Sequence, residues 1–157
     1  MRAASRSERT RQHLNIHQSF EEPCQRLLNA ICPDSYIRPH RHALDPKTET
    51  LFAVRGTFAL ILFEDSGAPR EVIGFGAGGR DASMNAGVEL APGAWHTVLA
   101  LTDGAVLLEV KAGPFVATAA KEFAPWAPGE NGPGVAEYMR VLRKLALEAL
   151  DDSARMT

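Results

Sequence analysis

The chain contains only two cysteines, Cys24 and Cys32, and this small number excludes a disulfide framework. Their spacing is not that of a zinc knuckle, so we expect both to be small buried thiols. No apolar run reaches the roughly 18 residues that a transmembrane helix needs. The N-terminus also lacks the apolar core of a signal peptide. We therefore expect a cytoplasmic protein without a membrane partner.

Neither sign of charge dominates, because 17 Lys and Arg residues face 19 Asp and Glu residues, for a net charge of -2. Such a chain has no general attraction to nucleic acid, and we expect no nucleic-acid partner. The exception is the basic start of the chain, with Arg2, Arg6, Arg9 and Arg11. We expect residues 1–12 to form a flexible basic arm.

Short β-like runs separated by turn residues make up most of the chain. The predicted strands cover residues 25–31, 35–42, 49–54, 57–63, 71–75, 86–90, 96–100 and 105–111. No segment of helical period lies between these runs, which disfavours a parallel α/β sheet. We therefore predict an all-β domain over residues 13–128, built as a small antiparallel β-barrel.

The C-terminal region has the opposite periodicity. Apolar residues recur there at helical spacing, namely Val135, Met139, Leu142, Ala146 and Leu150. We predict that residues 129–157 form a linker followed by an amphipathic α-helix. Such a helix packs on its own barrel or on a partner subunit.

Three histidines and one glutamate are the best candidates for a functional site. His40 and His42 lie two residues apart, so on a strand both imidazoles point to the same face. Glu49 opens the next predicted strand, which we expect to end in a hairpin turn at Gly56. His96 follows a Pro-Gly turn at the start of a later strand. This donor set suits one divalent transition metal ion per chain: Zn, Fe, Mn or Ni.

The other histidines do not share this pattern. A single histidine is more often structural than a metal ligand, and we predict that His13 and His17 are not ligands. Two histidines separated by one residue are also a weak signal on their own. The ordered set of His40, His42, Glu49 and His96 is what favours a metal site.

Charged and polar residues near these ligands are candidates for substrate binding. If His40 and His42 face into the barrel, strand alternation predicts that Tyr36 and Arg38 do too. Glu109 and Lys111 share one face of their strand, which is either the inner face or a surface carrying a salt bridge. Tyr36 and Glu109 are candidates for a general base, and no catalytic residue is assigned.

Two motifs of the chain resemble those of the cupins. His40-x-His42, Glu49 and Gly56 are similar to the first cupin motif, and Pro92-Gly-x-x-His96 is similar to the second. The gap between His42 and Glu49 is longer than usual. Over residues 11–130 the chain resembles the WbuC family of cupin-fold metalloproteins. The similar segments include residues 35–42, 47–49, 88–96, 108–114 and 123–128.

The WbuC resemblance implies a cupin barrel, also called a double-stranded β-helix or jelly roll, that holds a metal. Members of the family often lie in gene clusters for bacterial O-antigen or other surface polysaccharides. The implied function is binding or converting a sugar, a sugar nucleotide or another small polar metabolite in lipopolysaccharide biosynthesis. The implied enzyme is a metal-dependent isomerase, epimerase or oxygenase. The alternatives are a non-catalytic sugar-binding or accessory module and a cupin dioxygenase.

The resemblance also bears on assembly. Small cupins have exposed sheet edges, which are commonly covered by a second copy of the chain. We therefore expect a homodimer.

Overall fold

A computed structural model of the chain describes residues 3–77 and 84–155. Within these residues the chain forms nine strands and one α-helix. The strands are β1 Arg11–Asn15, β2 Cys24–Ile31, β3 His40–Arg41, β4 Glu49–Phe63, β5 Pro69–Ala77, β6 Gly87–Leu90, β7 Trp95–Ala100, β8 Ala105–Ala112 and β9 Glu122–Phe123. The helix α1 spans Val135–Arg155. This arrangement confirms the predicted all-β domain with a C-terminal helix.

The described strands pair antiparallel in the order β1-β2-β8-β4-β7-β3-β9, and β5 and β6 also pair with β4. The first half of β4 pairs with β8 and β6, whereas its second half pairs with β7 and β5. Since one long strand belongs to both halves, the sheet curls into a half-barrel.

The bend in β4 lies where the sequence predicted a turn. The predicted hairpin at Gly56 is wrong, because the strand continues through this residue to Phe63. The pairing with β8 shifts register between Ala53 and Arg55, and Gly56 has a φ of 81°. A Cβ at Gly56 would lie 2.6 Å from Oγ1 of Thr102. Glycine therefore allows both the bend and the close approach of the neighbouring loop.

The first strand begins close to the boundary that the sequence analysis set between the basic arm and the barrel. Strand β1 begins at Arg11, inside the segment 1–12 that was expected to be a flexible arm. The buried Arg11 guanidinium donates to the carbonyl oxygen of Tyr36 at 2.7 Å and to Oε1 of Glu130 at 2.6 Å. Residues 1, 2, 156 and 157 of the predicted terminal segments lie outside the described residues.

Two apolar clusters pack against opposite faces of the curved sheet. The inner cluster fills the half-barrel and includes Phe58, Leu60, Leu62, Val98 and Leu107. The outer cluster lies between the sheet and α1 and includes Ala59, Ile61, Phe63, Leu99, Met139, Leu142 and Ala146. The helix therefore packs on its own barrel. None of the described helices is long and apolar enough to cross a lipid bilayer.

Candidate metal centre

The four predicted ligands come together at one end of the half-barrel interior. His40 on β3 pairs in register with His96 on β7, and Glu49 is the first residue of β4. All four side chains are buried, with His40 4%, His42 8%, Glu49 5% and His96 3% exposed. One ligand nitrogen from each of the three histidines lies within 4.8 Å of the other two. Glu49 Oε2 lies 3.0 Å from His42 Nε2 and 3.8 Å from His96 Nε2.

The hydrogen bonds of the three imidazoles determine which nitrogen is free. In each ring, Nδ1 lies within hydrogen-bonding distance of a backbone carbonyl oxygen. The accepting residues are Arg38 for His40 at 3.0 Å, Ala120 for His42 at 2.5 Å and Ala94 for His96 at 2.9 Å. Because a carbonyl oxygen only accepts, we assign the ring proton to Nδ1. Each Nε2 is then left with a lone pair that can coordinate a metal.

The contact between His42 and Glu49 is a direct test of whether a metal fits. Nε2 of His42 and Oε2 of Glu49 lie 3.0 Å apart, although both atoms carry lone pairs in this assignment. Such a contact is favourable only when a proton or a metal cation lies between the two atoms. Neighbouring ligands of a metal with bonds of about 2.1 Å lie roughly 3 Å apart. The donor set therefore fits a divalent transition metal ion.

The charge states of the site also favour metal binding. Burial lowers the pKa of His40 well below its usual value and lowers that of His96 to about 4. Burial alone would raise the pKa of Glu49. The close contact with the His42 imidazole and the charge of Lys111 instead lower the pKa of Glu49 well below its usual range. At neutral pH, Glu49 is therefore ionised and His40 and His96 are neutral, which are the forms that bind metals.

A pocket of about 910 Å³ lies beside the histidines. Leu51, Val98 and Leu107 contribute an apolar part of its wall. His40, Glu49 and His96 also line it, so an ion held there is accessible from the pocket. The volume lies within the range of pockets that bind small molecules.

Glu109 and Lys111 face this pocket, which settles the orientation that the sequence left open. Glu109 accepts a hydrogen bond from Nδ2 of Asn29 at 2.8 Å. Lys111 places Nζ 3.5 Å from Oε1 of Glu49. Arg38 lines the same pocket, where strand alternation with His40 and His42 had placed it, although residue 38 itself lies outside β3.

The structure places Tyr36 elsewhere. Its ring belongs to the outer cluster under α1, and its hydroxyl donates to the carbonyl oxygen of Pro128 at 2.8 Å. The prediction that Tyr36 faces the ligands is wrong, because strand alternation applies only within a strand. Here β3 covers His40–Arg41, and residues 35–39 lie outside it. Tyr36 is therefore not among the described residues that line the pocket.

Several polar residues that line the pocket were not predicted from the sequence, among them Gln25, Asn29 and Lys121. Gln25 and Asn29 lie on one face of β2, and their even spacing on a predicted strand was a signal that both point the same way. For Lys121 the sequence contained no such signal. Its position depends on the pairing of the short strand β9 with β3.

The remaining histidines and the cysteines are outside the cluster. His17 is buried, and its Nδ1 lies 2.8 Å from the carbonyl oxygen of Arg26, whereas His13 is exposed. Neither belongs to the group of three histidines. Cys24 and Cys32 are half-buried free thiols.

Comparisons with known sequences say little about function. A family model described as a domain of unknown function (DUF6016) matches residues 1–73, which include His40, His42 and Glu49 but not His96. No curated protein matches the chain in sequence.

Comparisons with solved structures are informative about the fold. A protein from Shewanella oneidensis superposes with a TM-score of 0.54 at 13% identity, over 71% of this chain and 72% of that one. A cupin 2 conserved barrel domain protein from Rhodopseudomonas palustris has a TM-score of 0.50 at 13% identity, over 78% and 69% of the two chains. An oxalate decarboxylase variant from Bacillus subtilis has a TM-score of 0.52 at 15% identity, over 72% of this chain.

This chain spans only 27% of the oxalate decarboxylase. At such identities the similarity concerns the fold alone. The antiparallel half-barrel with its C-terminal helix is a cupin fold, and its buried histidines form a candidate metal centre.

Proposed function

We propose that His40, His42, Glu49 and His96 hold one divalent transition metal ion and that the adjoining pocket binds a small polar metabolite. The observation that supports this most strongly is the convergence of three buried imidazoles beside a buried carboxylate. Four protein ligands leave one or two positions open on an ion that accepts five or six. When bound, the ion supplies a Lewis acid for a water molecule, dioxygen or the metabolite itself.

Metal content tests this proposal directly. The protein is purified without an affinity tag or added metal, and its metals are measured by mass spectrometry. We expect about one ion per chain in the wild type and almost none in the His40→Ala/His96→Ala variant. His13→Ala is the matched control and keeps its metal. A folded wild type that contains no metal and does not bind added Zn, Fe, Mn or Ni would overturn the proposal.

The metabolite that we propose is a sugar, a sugar nucleotide or a similar molecule used in bacterial surface-polysaccharide biosynthesis. The support is the WbuC resemblance of residues 35–42 and 88–96, together with a pocket of about 910 Å³.

Glu109 favours an enzyme over a non-catalytic binding module. Its carboxyl group lies in the pocket and keeps a single hydrogen-bond partner among the described residues, Asn29. Burial and the charge of Glu49 both raise the pKa of Glu109. A carboxyl group of raised pKa can hold or accept a proton near neutral pH. We assign Glu109 as the proton-transfer group for isomerisation or epimerisation.

Turnover of sugar nucleotides, followed by NMR on the metal-loaded protein, tests this assignment. Glu109→Gln keeps its metal and loses turnover if the carboxyl group moves a proton. Equal turnover in both proteins would remove Glu109 from the mechanism. A metal-loaded wild type that binds the compounds without converting them would indicate a binding module.

We also propose that the protein is a homodimer. Four outward-facing apolar residues align across neighbouring strands: Leu14 with Leu28, Leu28 with Leu108, and Leu108 with Phe52. Leu14 is 65% and Phe52 is 46% exposed, whereas α1 covers the outer face of the other half of the sheet. We expect a dimer by sedimentation velocity and a monomer for Phe52→Lys. A wild type that sediments as a monomer at all concentrations would contradict this.

A further inference from the structure

The pocket beside the histidines is positively charged, although the whole chain carries a net charge of -2. Five cationic side chains and three carboxylates line it. The cations are Arg9, Arg11, Arg38, Lys111 and Lys121, and the carboxylates are Glu49, Glu109 and Glu130. A pocket with low-dielectric walls and an excess of one charge attracts ligands of the opposite charge.

Within the described part of the chain, two of these cations have a carboxylate partner. Arg11 pairs with Glu130 at 2.6 Å, and Lys111 pairs with Glu49 at 3.5 Å. Among residues 3–77 and 84–155, no carboxylate oxygen lies within 4.0 Å of Arg9, Arg38 or Lys121. Three cations of the pocket are therefore available to a ligand.

Arg38 is held in place but incompletely bonded. One Nη2 hydrogen bond reaches the carbonyl oxygen of Ala124 at 2.7 Å, and the guanidinium carbon lies 5.4 Å from the centre of the Phe123 ring. The buried Nε has no hydrogen-bond partner among the described residues. A buried donor without a partner destabilises the protein. An acceptor supplied by a ligand would therefore offset the free energy lost at this unpaired Nε.

Lys121 lies next to a strand that pairs with the segment carrying His40. Strand pairing sets His40 opposite Phe123 and Arg41 opposite Glu122, and Lys121 immediately precedes β9. The Lys121 side chain is exposed and lines the pocket, so its ammonium group is open to a ligand. Arg38 and Lys121 therefore line the pocket from the segments that lead into β3 and β9, two strands that pair with each other, whereas Arg9 precedes β1.

We propose that the pocket binds a small anionic molecule whose carboxylate or phosphate group pairs with Arg38 and Lys121. The planar guanidinium of an arginine suits the oxygens of either group, and a lysine adds a mobile point charge. That another part of the molecule reaches the metal rests on the proposed function. The anion site itself does not, because it is defined by protein cations alone.

Three related sugars test the charge requirement on the metal-loaded full chain by calorimetry: glucose 1-phosphate, glucuronate and glucose. They share a ring, and only the first two carry an anionic group. We expect at least one anion to bind at least tenfold more tightly than glucose, and the tighter one identifies phosphate or carboxylate as the recognised group. If neither anion binds more tightly than glucose, the proposal is wrong.

Variants then locate the anion. Arg38→Gln and Lys121→Gln should each weaken binding of the preferred anion by roughly tenfold. Arg38→Lys keeps the positive charge but loses the planar guanidinium group. Its affinity for the preferred anion should lie between those of the wild type and Arg38→Gln. Lys144→Gln is the matched control, because this exposed residue on α1 lies 3.7 Å from Glu148 and far from the pocket lining. Unchanged affinity in both glutamine variants, with folding verified by circular dichroism, would overturn the assignment.

Metal analysis of the same samples separates the two proposals. A metal-loaded wild type that does not discriminate between anions and glucose would refute the anion site and leave the metal centre standing. A protein that does not bind metal but binds an anion more tightly than glucose would refute the metal centre and support the anion site.

Discussion

The interior of the half-barrel has two ends that are built from the same strands and lined by different chemistry. The apolar end is formed by Ile31, Ala53, Phe58, Ala100, Ala105 and Leu107. The polar end is formed by His40, His42, Glu49, His96, Glu109 and Lys111. Along two of these strands the inward-facing residues change from apolar to polar, from Leu107 to Glu109 on β8 and from Val98 to His96 on β7.

This difference separates stability from function. The apolar end removes hydrocarbon surface from water, which is the main favourable contribution to folding. The polar end removes charged and hydrogen-bonding groups from water, which is unfavourable unless each group has a partner. Such groups are retained in a fold mainly where binding or chemistry needs them. If the two ends are separate, substitutions at the apolar end mainly change stability and substitutions at the polar end mainly change binding.

The largest effect is expected at the apolar end. Phe58 is 0% exposed and stacks on Phe75 with ring centres 5.4 Å apart. Phe58→Ala should lower the free energy of unfolding by about 3–5 kcal/mol, because it leaves a cavity in the core. Leu147→Ala, on α1 and 48% exposed, is the control and should lower it by less than about 1 kcal/mol. Urea unfolding measures both, and similar losses in the two variants would contradict the assignment of the inner core.

At the polar end, metal binding should raise stability. If only the folded chain binds the ion, stability rises by about 4 kcal/mol at a free metal concentration a thousandfold above Kd. The midpoint of thermal unfolding should therefore be higher with metal than with a chelator. His42→Ala should lose most of this difference. A wild-type midpoint that is equal under both conditions would argue against the site.

The metal-free protein should lose stability in mild acid. Burial lowers the pKa of His96 from 6.5 to about 4, so the folded chain binds fewer protons than the unfolded chain between these values. The stability due to His96 is complete above pH 6.5 and is lost as the pH falls through 4, by on the order of 3 kcal/mol. Urea unfolding of chelated protein across this range should show the decline, with a shallower slope in His96→Gln. Equal slopes in the two proteins would exclude His96 as a cause.

The smallest effect is expected at the boundary between the two ends. Asn29→Leu removes the donor to Glu109 and should lower the free energy of unfolding by about 1–2 kcal/mol. Asn29→Leu combined with Glu109→Leu extends the apolar end and should recover most of that loss, because no buried acceptor is left without a partner. A double variant that is less stable than Asn29→Leu would show that Glu109 itself stabilises the fold.

Several elements could be predicted because the signal is local. The helical period of α1 and the short β-like runs of β2, β7 and β8, bounded by turn residues, are visible in short windows of sequence. The set of His40, His42, Glu49 and His96 was found by its order along the chain, and all four meet at one end of the barrel.

Other features could not be predicted because they depend on distant partners. Gly56 looked like a turn, but the register shift against β8 allows β4 to continue. Tyr36 lies an even number of residues before His40, so strand alternation placed both side chains on one face. Residues 35–39 do not form a strand, however, and the Tyr36 ring packs under α1. Lys121 had no pattern of its own and reaches the pocket through the pairing of β9 with β3.

By itself, the amino-acid sequence determined which residues carry atoms that can bind a metal, which short runs form strands and which segment forms an amphipathic helix. These are properties of a residue and its nearest neighbours. Only the tertiary structure decided that Glu109 and Lys111 face inward, that each clustered imidazole bonds a backbone carbonyl through Nδ1, and that Arg38 and Lys121 line one pocket with His40 and His96. The physical reason is that facing, hydrogen bonding and electrostatic pairing depend on groups brought close by strand pairing between distant segments.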